Sequence, residues 1–369
     1  MSTAAQVRVD LPGRAYDILI GEGELDRLGE QVAARIESKR ATIVTDSHVG
    51  PLYLKRAASG LGRSGIDTHA VTIPAGEASK SLTQLARVFD ELAARGHSRD
   101  EVVIALGGGV IGDLAGLAAA LWNRGMPFVQ CPTTLEAQID ASIGGKTAIN
   151  HSAGKNLIGA FHQPSVVCID VTCLGTLSDR DFIAGLAESV KHAIICDPAF
   201  FAWHETNGKQ VLAREPAAII ELVRRNCEIK ARVVEQDERE SATDGVGRAA
   251  LNFGHTIGHA IEAQAAYALR HGEAVALGMI AEMDLAVRRC GLVAADRDRA
   301  IALMGATGLP TRSTAPIDAD DIISRLGTDK KKRGQMVRFV VPRHIGQVAW
   351  LEGVIEDDLR RALAGVSMP

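Results

Sequence analysis

The sequence predicts an α/β fold in which an N-terminal half with a mostly parallel sheet is followed by a mostly α-helical half. In the first half, short β-type runs alternate with stretches that have apolar residues at helical spacing. After residue 170, helical patterns dominate to about residue 307. The length of 369 residues suits two domains, which we expect to be 1–177 and 178–369.

Six apolar runs predict the strands of the first half. They are YDILI (16–20), ATIVTD (41–46), THAVTI (68–73), EVVIAL (101–106), FVQCP (128–132) and VVCID (166–170). The intervals between them leave room for helices, for example over 81–96. Nearly continuous apolar runs such as VVIAL are typical of central strands that are buried on both faces.

The second half is expected to begin with a capped helix. Ser178 and Asp181 stand three residues apart, which resembles a capping box. Near the end of the chain, MVRFVVP (336–342) and the stretch around Val348 predict two strands. A final helix is expected near 355–364.

Charge and composition exclude one large class of partners. The chain has 41 Lys and Arg residues against 45 Asp and Glu residues, and only 4% of its residues are aromatic. Nucleic-acid binding depends on clustered positive charge and on aromatic rings that stack on bases. We therefore expect no nucleic-acid partner.

The sequence also predicts a cytoplasmic protein without a membrane partner. Its start lacks the apolar run and cleavage site of a signal peptide. The most hydrophobic stretch, 102–122, contains Asp113 and several glycines, which favours a buried strand, turn and helix over a membrane span. The six cysteines are scattered without a C-x-x-C pair, as is typical of reduced core residues.

A glycine cluster, ALGGGVIGDLAG (105–116), lies between a predicted strand and a predicted helix. Glycine allows the backbone to approach a pyrophosphate, and a helix N-terminus supplies oriented N–H groups. The cluster is not a strict G-x-G-x-x-G. It predicts either a phosphate site or a turn that is needed only for packing.

A second polar segment, PTTLEAQIDASIGGKTAINHSAGKN (132–156), begins at the end of a predicted strand. Thr133 and Thr134 stand where open α/β sheets usually present ligand-binding side chains. The residues Asp140, Lys146, Lys155 and Asn156 follow among glycines. They indicate a loop that folds over an anion, or else an ordinary solvated surface loop.

The pattern that indicates a metal site is more specific than either of these two segments. The segment NFGHTIGH (252–259) places His255 and His259 on one helix face, and His271 follows in HGEAVALGM. The H-E-x-x-H pattern of metalloproteases is absent. A single histidine is more often a structural residue, but three in one short window favour a metal. Glu188, in an apolar helix, is a candidate further ligand, because two histidines and one glutamate form a catalytic zinc set.

Several cations accompany these groups. Lys191 follows Glu188 by three residues and shares its helix face, and Arg248 precedes His255 by seven. The run Lys330–Arg333 predicts either a phosphate clamp or a solvated loop. These groups together indicate a dinucleotide site, a metal site and an anionic substrate.

Seven segments together resemble the 3-dehydroquinate synthase family in family order over nearly the whole chain. They are PAGEASK (74–80), GGGVIGD (107–113), PTTLEAQIDASIGGKTAINHSAGKNLIGAFHQP (132–164), AGLAESVKH (184–192), LNFGHTIGHAIE (251–262), HGEAVALGM (271–279) and TDKKKRG (328–334). The resemblance implies a Rossmann-like N-terminal domain that binds NAD and a helical C-terminal domain that holds a metal and substrate. It also implies a homodimer whose active site lies between the two domains.

The resemblance also assigns roles to individual residues. The implied ligands of Zn²⁺ (or Co²⁺) are Glu188, His255 and His271. The implied NAD contacts are Asp46, Glu77, Lys80, Gly108, Gly109, Asp113, Thr133, Thr134, Lys146 and Lys155. The implied substrate contacts are Asp140, Lys146, Asn156, Lys191, Lys230, Arg248, Asn252, His259 and Lys330, with Arg124 reaching the neighbouring subunit's site.

The activity that the resemblance implies is a zinc- and NAD-dependent lyase that converts 3-deoxy-D-arabino-heptulosonate 7-phosphate to 3-dehydroquinate and phosphate in the shikimate pathway. Three alternatives share the architecture. A sedoheptulose 7-phosphate cyclase would use the same cofactors, but the GHTIGH and GGKT segments favour dehydroquinate synthase. A metal-dependent polyol dehydrogenase would not need so many cations. An inactive NAD-binding regulator would have no reason to keep a complete ligand set.

Overall fold

The computed structural model describes residues 5–241, 246–265, 268–333 and 337–368, with the side chains of 328–333 excepted. The chain forms two units. The first contains the residues up to Leu177 together with Arg214–Glu235, and the second contains Ser178–Ala213 together with the residues from Gln236 onward. The mixed α/β architecture that the sequence predicts is confirmed.

The first unit contains a seven-stranded sheet in the order β1-β2-β9-β6-β5-β3-β4. All neighbouring strands are parallel except β1, which pairs antiparallel with β2 at one edge. The strands are β1 (Ala5–Val9), β2 (Tyr16–Gly21), β3 (Arg40–Asp46), β4 (Asp67–Ile73), β5 (Val102–Gly107), β6 (Phe128–Pro132) and β9 (Val166–Asp170). Every residue of β5, β6 and β9 is buried, as expected for central strands.

Helices cover this sheet and bury their apolar stripes against it. They are α1 (Leu28–Ala33), α2 (Gly50–Arg63), α3 (Leu82–Ala94) and α4 (Gly109–Leu121). Helix α7 (Pro216–Gln236), later in the chain, also lies largely in the first unit. One cluster of buried side chains joins α1 and α2 to the sheet, and another joins α3 and α4 to it. The six strands and the helix over 81–96 that the sequence predicts are present, with ends shifted by at most two residues.

The predicted loop over 132–156 is wrong in part. Residues 146–161 form an antiparallel hairpin of β7 (Lys146–His151) and β8 (Gly154–Phe161). Thr147 and Ile149 alternate with more exposed residues and are 2% and 0% exposed. The lysines, glycines and asparagines of this segment conceal a short strand whose apolar face packs on α4.

Helix α7 also differs from the sequence-based division. The predicted boundary put Arg214–Glu235 in the second domain, whereas the structure groups this stretch with the first unit. The Cys227 thiol donates to the Gln138 carbonyl at 3.6 Å, and the Glu235 carboxylate accepts from the Asp10 N–H at 2.7 Å. An amphipathic pattern predicts a helix but does not identify the surface that it packs against.

The second unit is mostly helical, as predicted. Its helices are α5 (Asp179–Cys196), α6 (Pro198–Leu212), α8 (His255–Gln264), α9 (His271–Arg289), α10 (Ala294–Ala306), α11 (Ala319–Arg333) and α12 (Glu356–Val366). The Ser178 hydroxyl accepts from the Asp181 N–H at 3.1 Å, which confirms the predicted cap of α5. The two strands predicted near the end of the chain are present as β10 (Phe339–His344) and β11 (Gln347–Leu351), and they pair antiparallel. Among the described helices, none has the length and apolarity that crossing a bilayer requires.

Candidate functional site

Several predicted cofactor residues lie where parallel strands of the first unit end. Asp46 is the last residue of β3, and its carboxylate accepts the N–H groups of His48 and Val49 at 2.8 and 2.9 Å. Thr133 and Thr134 directly follow β6. The carboxyl ends of parallel strands form the edge at which open α/β sheets bind ligands.

Gly108 and Gly109 form the turn from β5 into α4 at the same edge. Gly108 precedes the helix, and Gly109 is its first residue. A Cβ atom on Gly108 would lie 3.1 Å from Thr134 Cγ2, so a side chain here would crowd the neighbouring turn. The helix start has no side-chain cap, which leaves its first N–H groups available to an anion.

A polar cluster in the first unit brings four predicted residues together. The Lys80 ammonium, 6% exposed, donates to the Asp113 carboxylate at 2.6 Å and to the Asn156 side-chain oxygen. The Asn150 amide donates to the Glu77 carboxylate at 2.8 Å, while its oxygen accepts the Asn156 N–H at 2.9 Å. Asn150 therefore links the hairpin to the turn that carries Glu77 and Lys80.

Electrostatics within this cluster act in opposite directions on Asp113. Burial raises the pKa of its carboxyl group, and the nearby Lys80 ammonium lowers it. The net shift is upward. The Lys80 ammonium therefore offsets part of the effect of burial, which disfavours the charged form of this carboxyl group.

A cavity of about 420 Å³ adjoins the same cluster. Its lining includes Asp113, Lys146 and Asn156 with the apolar side chains of Leu157 and Phe161. Lys155 is exposed on β8, and Asn156 has a left-handed backbone with φ of 56°. Polar groups that converge on an apolar wall are typical of a small-molecule site.

A further ion pair in the first unit joins two predicted substrate residues. The Lys230 ammonium on α7 donates to the Asp140 carboxylate. Lys230 is 6% exposed, so the pair is shielded from water on the lysine side. This contact adds to those that join α7 to the rest of the first unit.

The candidate metal ligands meet in the second unit. The Nε2 atoms of His255 and His271 lie 3.6 and 3.9 Å from Glu188 Oε1. Ligands of tetrahedral zinc lie about 3.3 Å from one another, since each bond is about 2.0–2.1 Å long. A carboxylate oxygen and two imidazole nitrogens at this spacing fit a divalent ion of the zinc type.

The other imidazole nitrogens of these ligands face acceptors. His255 Nδ1 lies 3.2 Å from the Phe253 carbonyl oxygen, and His271 Nδ1 lies 3.5 Å from Glu262 Oε2. Such contacts favour the tautomer that carries its proton on Nδ1 and leaves Nε2 free to bind a metal. The two histidines are therefore oriented toward Glu188.

The charge state of His255 also suits a ligand. Burial, and then the positive charge of Lys191, hold the pKa of His255 well below its usual value. The imidazole is neutral at pH 7, as metal binding requires. Lys191 itself pairs with the other oxygen of Glu188.

His259 completes the polar surface of α8. One ring nitrogen from each of His255, His259 and His271 lies within 4.8 Å of the others. His259 is more exposed than the other two and stands 5.2 Å from the His255 ring, centroid to centroid. This position suits a group that contacts a molecule bound at the metal.

For two other predicted residues, Arg248 and Asn252, the structure shows hydrogen bonds to nearby acidic residues. Arg248 is 2% exposed and donates to the Glu238 carbonyl at 2.6 Å, and Asn252 donates to Glu240 at 3.0 Å. The Lys330 side chain lies outside the described part of the chain.

Arg124 is exposed on a tight turn of the first unit. Asn123 and Arg124 have left-handed backbones with φ of 47° and 66°. The turn is held by the side chains of Trp122 and Asn123, which donate to the His97 carbonyl at 3.0 and 3.3 Å. Arg124 is therefore an exposed residue on an anchored turn.

Sequence reasoning missed Asn150 and Glu262. Glu262 follows His255 by seven residues, which is two helical turns, so its place on the same face of α8 could have been predicted. Asn150 gives no such signal, because its role depends on a hairpin that the sequence did not reveal.

Family models match most of the chain. A 3-dehydroquinate synthase N-terminal model matches residues 70–184, and the corresponding C-terminal model matches residues 185–332. A 3-dehydroquinate synthase from Desulforamulus reducens is 45% identical over 359 residues, which is 97% of this chain and 99% of the relative.

Solved structures agree with these matches. A 2-epi-5-epi-valiolone synthase from Streptomyces hygroscopicus, with NAD⁺ and Zn²⁺ bound, is 31% identical with a TM-score of 0.85, covering 95% of this chain and 96% of that one. A 2-deoxy-scyllo-inosose synthase complexed with carbaglucose-6-phosphate, NAD⁺ and Co²⁺ is 26% identical with a TM-score of 0.88, covering 97% and 99%.

Proposed function

The chain belongs to the 3-dehydroquinate synthase family, and from that premise we propose that it converts 3-deoxy-D-arabino-heptulosonate 7-phosphate to 3-dehydroquinate and phosphate. The observation that carries the proposal is the convergence of His255 and His271 on Glu188. The enzyme is then a lyase of the shikimate pathway. We place it in the cytoplasm.

The resident cofactors in this proposal are NAD and one divalent ion, zinc or cobalt. When bound, the dinucleotide supplies reversible hydride transfer and the ion supplies Lewis-acid polarisation of hydroxyl groups. Glu188, His255 and His271 hold the ion, and three protein ligands leave a coordination position for substrate oxygen. The two solved structures with NAD⁺ and a metal support this pair of cofactors.

In the dinucleotide region, each group has a role that its chemistry suits. The N–H groups at Gly108 and Gly109 bind the pyrophosphate, and Asp46 accepts from ribose hydroxyls. Lys80, held between Asp113 and Asn156, supplies positive charge near the phosphates. The remaining contacts come from Glu77, Thr133, Thr134, Lys146 and Lys155.

In this proposal, the substrate is bound by cations and by polar side chains. Arg248 forms a two-pronged pair with the substrate carboxylate. Lys146, His259 and Lys330 bind the phosphate. The hydroxyl groups are oriented by Asp140, Asn156, Lys191, Lys230 and Asn252.

We further propose that the protein is a homodimer in which Arg124 serves the neighbouring subunit. The exposed side chain and the anchored turn of Arg124 support this role. We also propose that residues 1–177 bind the dinucleotide and that 178–369 bind the metal, with α7 contributed to the first unit. Mixing Arg124→Ala and His271→Ala chains should restore activity if the arginine acts in the partner.

The direct test is phosphate release from defined substrates. With Zn²⁺, NAD and the heptulosonate phosphate, inorganic phosphate and a product with the mass of dehydroquinate should accumulate together. Sedoheptulose 7-phosphate should release little phosphate, because Arg248 then lacks its carboxylate partner. Phosphate release from sedoheptulose 7-phosphate alone would overturn the substrate assignment while leaving the fold and cofactors in place.

A further inference from the structure

We propose that Glu282 is a positioning residue of the metal site, because its carboxylate on α9 holds the first turn of α8 and thereby places His255. The inference rests on the proposed metal site. It concerns a residue that contacts neither the ion nor the substrate.

The contacts of Glu282 are all directed at the start of α8. The side chain is 0% exposed. Its Oε2 accepts the Gly254 N–H at 2.6 Å, and its Oε1 accepts the Ile257 N–H at 3.2 Å. A helix start leaves such N–H groups without partners inside the helix, so a carboxylate at this position acts as a cap.

The cap comes from another helix because α8 cannot supply its own. The residue that precedes α8 is Gly254, with a left-handed φ of 80° and no side chain. A Cβ atom here would lie against Met279 Cγ and 3.0 Å from the Met279 nitrogen. Ser, Thr, Asp and Asn, the usual capping residues, are therefore excluded by the closeness of α9.

The same crossing fixes the separation of the two helices. A Cβ atom on Gly258 would lie 3.0 Å from the Ala274 carbonyl oxygen, and one on Gly278 would lie 2.7 Å from the Gly258 nitrogen. Two backbones this close leave little freedom to slide. Glu282 adds the directional contacts that the glycines cannot provide.

The consequence for the ligands follows from their places in the helices. His255 is the first residue of α8, immediately after Gly254, and His271 is the first residue of α9. The turn that Glu282 holds is therefore the turn that carries His255 toward Glu188. If this turn frays, His255 Nε2 moves away from its position 3.6 Å from Glu188 Oε1, while His271 and Glu188 remain in place.

Burial of the Glu282 carboxyl group adds a cost that these contacts offset. In the described part of the chain, Glu282 forms no ion pair, and burial raises the pKa of its carboxyl group to about 8 against the effect of the N–H donors. An apolar side chain would avoid that cost but would leave the N–H groups of Gly254 and Ile257 buried and unpaired.

The experiment measures Co²⁺ affinity of the full-length protein by competition with a chelator, and follows the visible spectrum of the bound Co²⁺. The variants are Glu282→Gln, which keeps one acceptor oxygen, and Glu282→Leu, which keeps none. The control is Met283→Ala, which truncates the next residue of α9, a buried side chain without a role in the cap. NAD affinity serves as a readout from the first unit.

We expect Glu282→Leu to weaken Co²⁺ binding at least tenfold and to change the Co²⁺ spectrum, with Glu282→Gln intermediate. NAD affinity should be unchanged in each variant, and Met283→Ala should retain the parent affinity for Co²⁺. If both Glu282 variants bind Co²⁺ as tightly as Met283→Ala, the positioning role is overturned and the metal site stands. If the parent protein does not bind Co²⁺, or if His271→Ala binds it as tightly as the parent does, the proposed metal site fails and the inference fails with it.

Discussion

The buried contact between Lys80 and Asp113 allows a sharp prediction about the first unit. Replacing Lys80 with Met keeps most of the side-chain volume and removes the charge. Asp113 then loses its cationic partner at 2.6 Å, and Asn156 loses the ammonium that bonds its side-chain oxygen. The first unit should become less stable.

The expected magnitude follows from the burial of the two groups. Removing one partner of a fully buried pair costs about 3–5 kcal/mol. The Asp113 side chain is 20% exposed, so water recovers part of its solvation. We expect Lys80→Met to lower the unfolding free energy by about 2–3 kcal/mol. Combining it with Asp113→Asn should cost less than the sum of the two single changes, since the second change removes the orphaned charge.

The assay is urea denaturation followed by the fluorescence of Trp122, which stacks on Phe89 in the first unit. Trp203 and Trp350 belong to the second unit and are replaced by Phe in every variant. Lys55→Met provides the control, because Lys55 is exposed on α2. Its effect should remain within about 0.5 kcal/mol.

The pH dependence separates this explanation from a packing defect. Burial already raises the pKa of Asp113, and loss of Lys80 should raise it further. An acid whose pKa is higher in the folded state binds more protons there, so stability is retained at low pH and lost as the pH rises through the raised pKa. The unfolding free energy of Lys80→Met should therefore be closest to that of the parent at pH 5 and farthest from it at pH 8. Equal destabilisation at both pH values would refute the reasoning.

Three further changes probe substrate, dinucleotide and metal. Arg248→Ala should weaken binding of the carboxylated substrate by about 2–4 kcal/mol. Arg248→Lys should recover only part of this loss, because an ammonium cannot form the two-pronged pair with a carboxylate. Unchanged Michaelis constants would exclude Arg248 as the group that binds the substrate carboxylate. Asn150→Ala should raise the NAD dissociation constant about tenfold in calorimetry, since Glu77 and Asn156 lose their shared partner; an unaltered constant would contradict this. His271→Ala should match chelated protein, without phosphate release but with NAD binding retained, and full activity in metal-free protein would exclude the metal.

Local patterns predicted the elements whose burial is regular. The strands at 128–132 and 166–170 appear with the predicted ends, because continuous apolar runs in a parallel sheet leave little choice of register. The hairpin at 146–161 was missed, since its polar face carries Lys146, Lys155 and Asn156 and conceals the alternation. The pattern of α7 likewise predicts a helix without indicating which unit it joins.

Some residues of the candidate site could likewise be predicted from the sequence, and others could not. Motif spacing identified His255 and His271, and the structure brings both toward Glu188. It could not predict Glu282, because that side chain acts on a helix start 28 residues earlier in the chain. The contact depends on the crossing of α8 and α9 through glycine, which is a tertiary feature.

The redox balance of the reaction tests the central proposal most directly. The heptulosonate phosphate minus phosphoric acid has the composition of dehydroquinate, so the reaction involves no net oxidation and NAD is regenerated in each turnover. With Zn²⁺ and substoichiometric NAD, inorganic phosphate should accumulate far beyond the amount of NAD, while NADH absorbance stays near zero. If NADH instead accumulates one-for-one with product, the protein is a dehydrogenase and the proposed lyase activity is wrong.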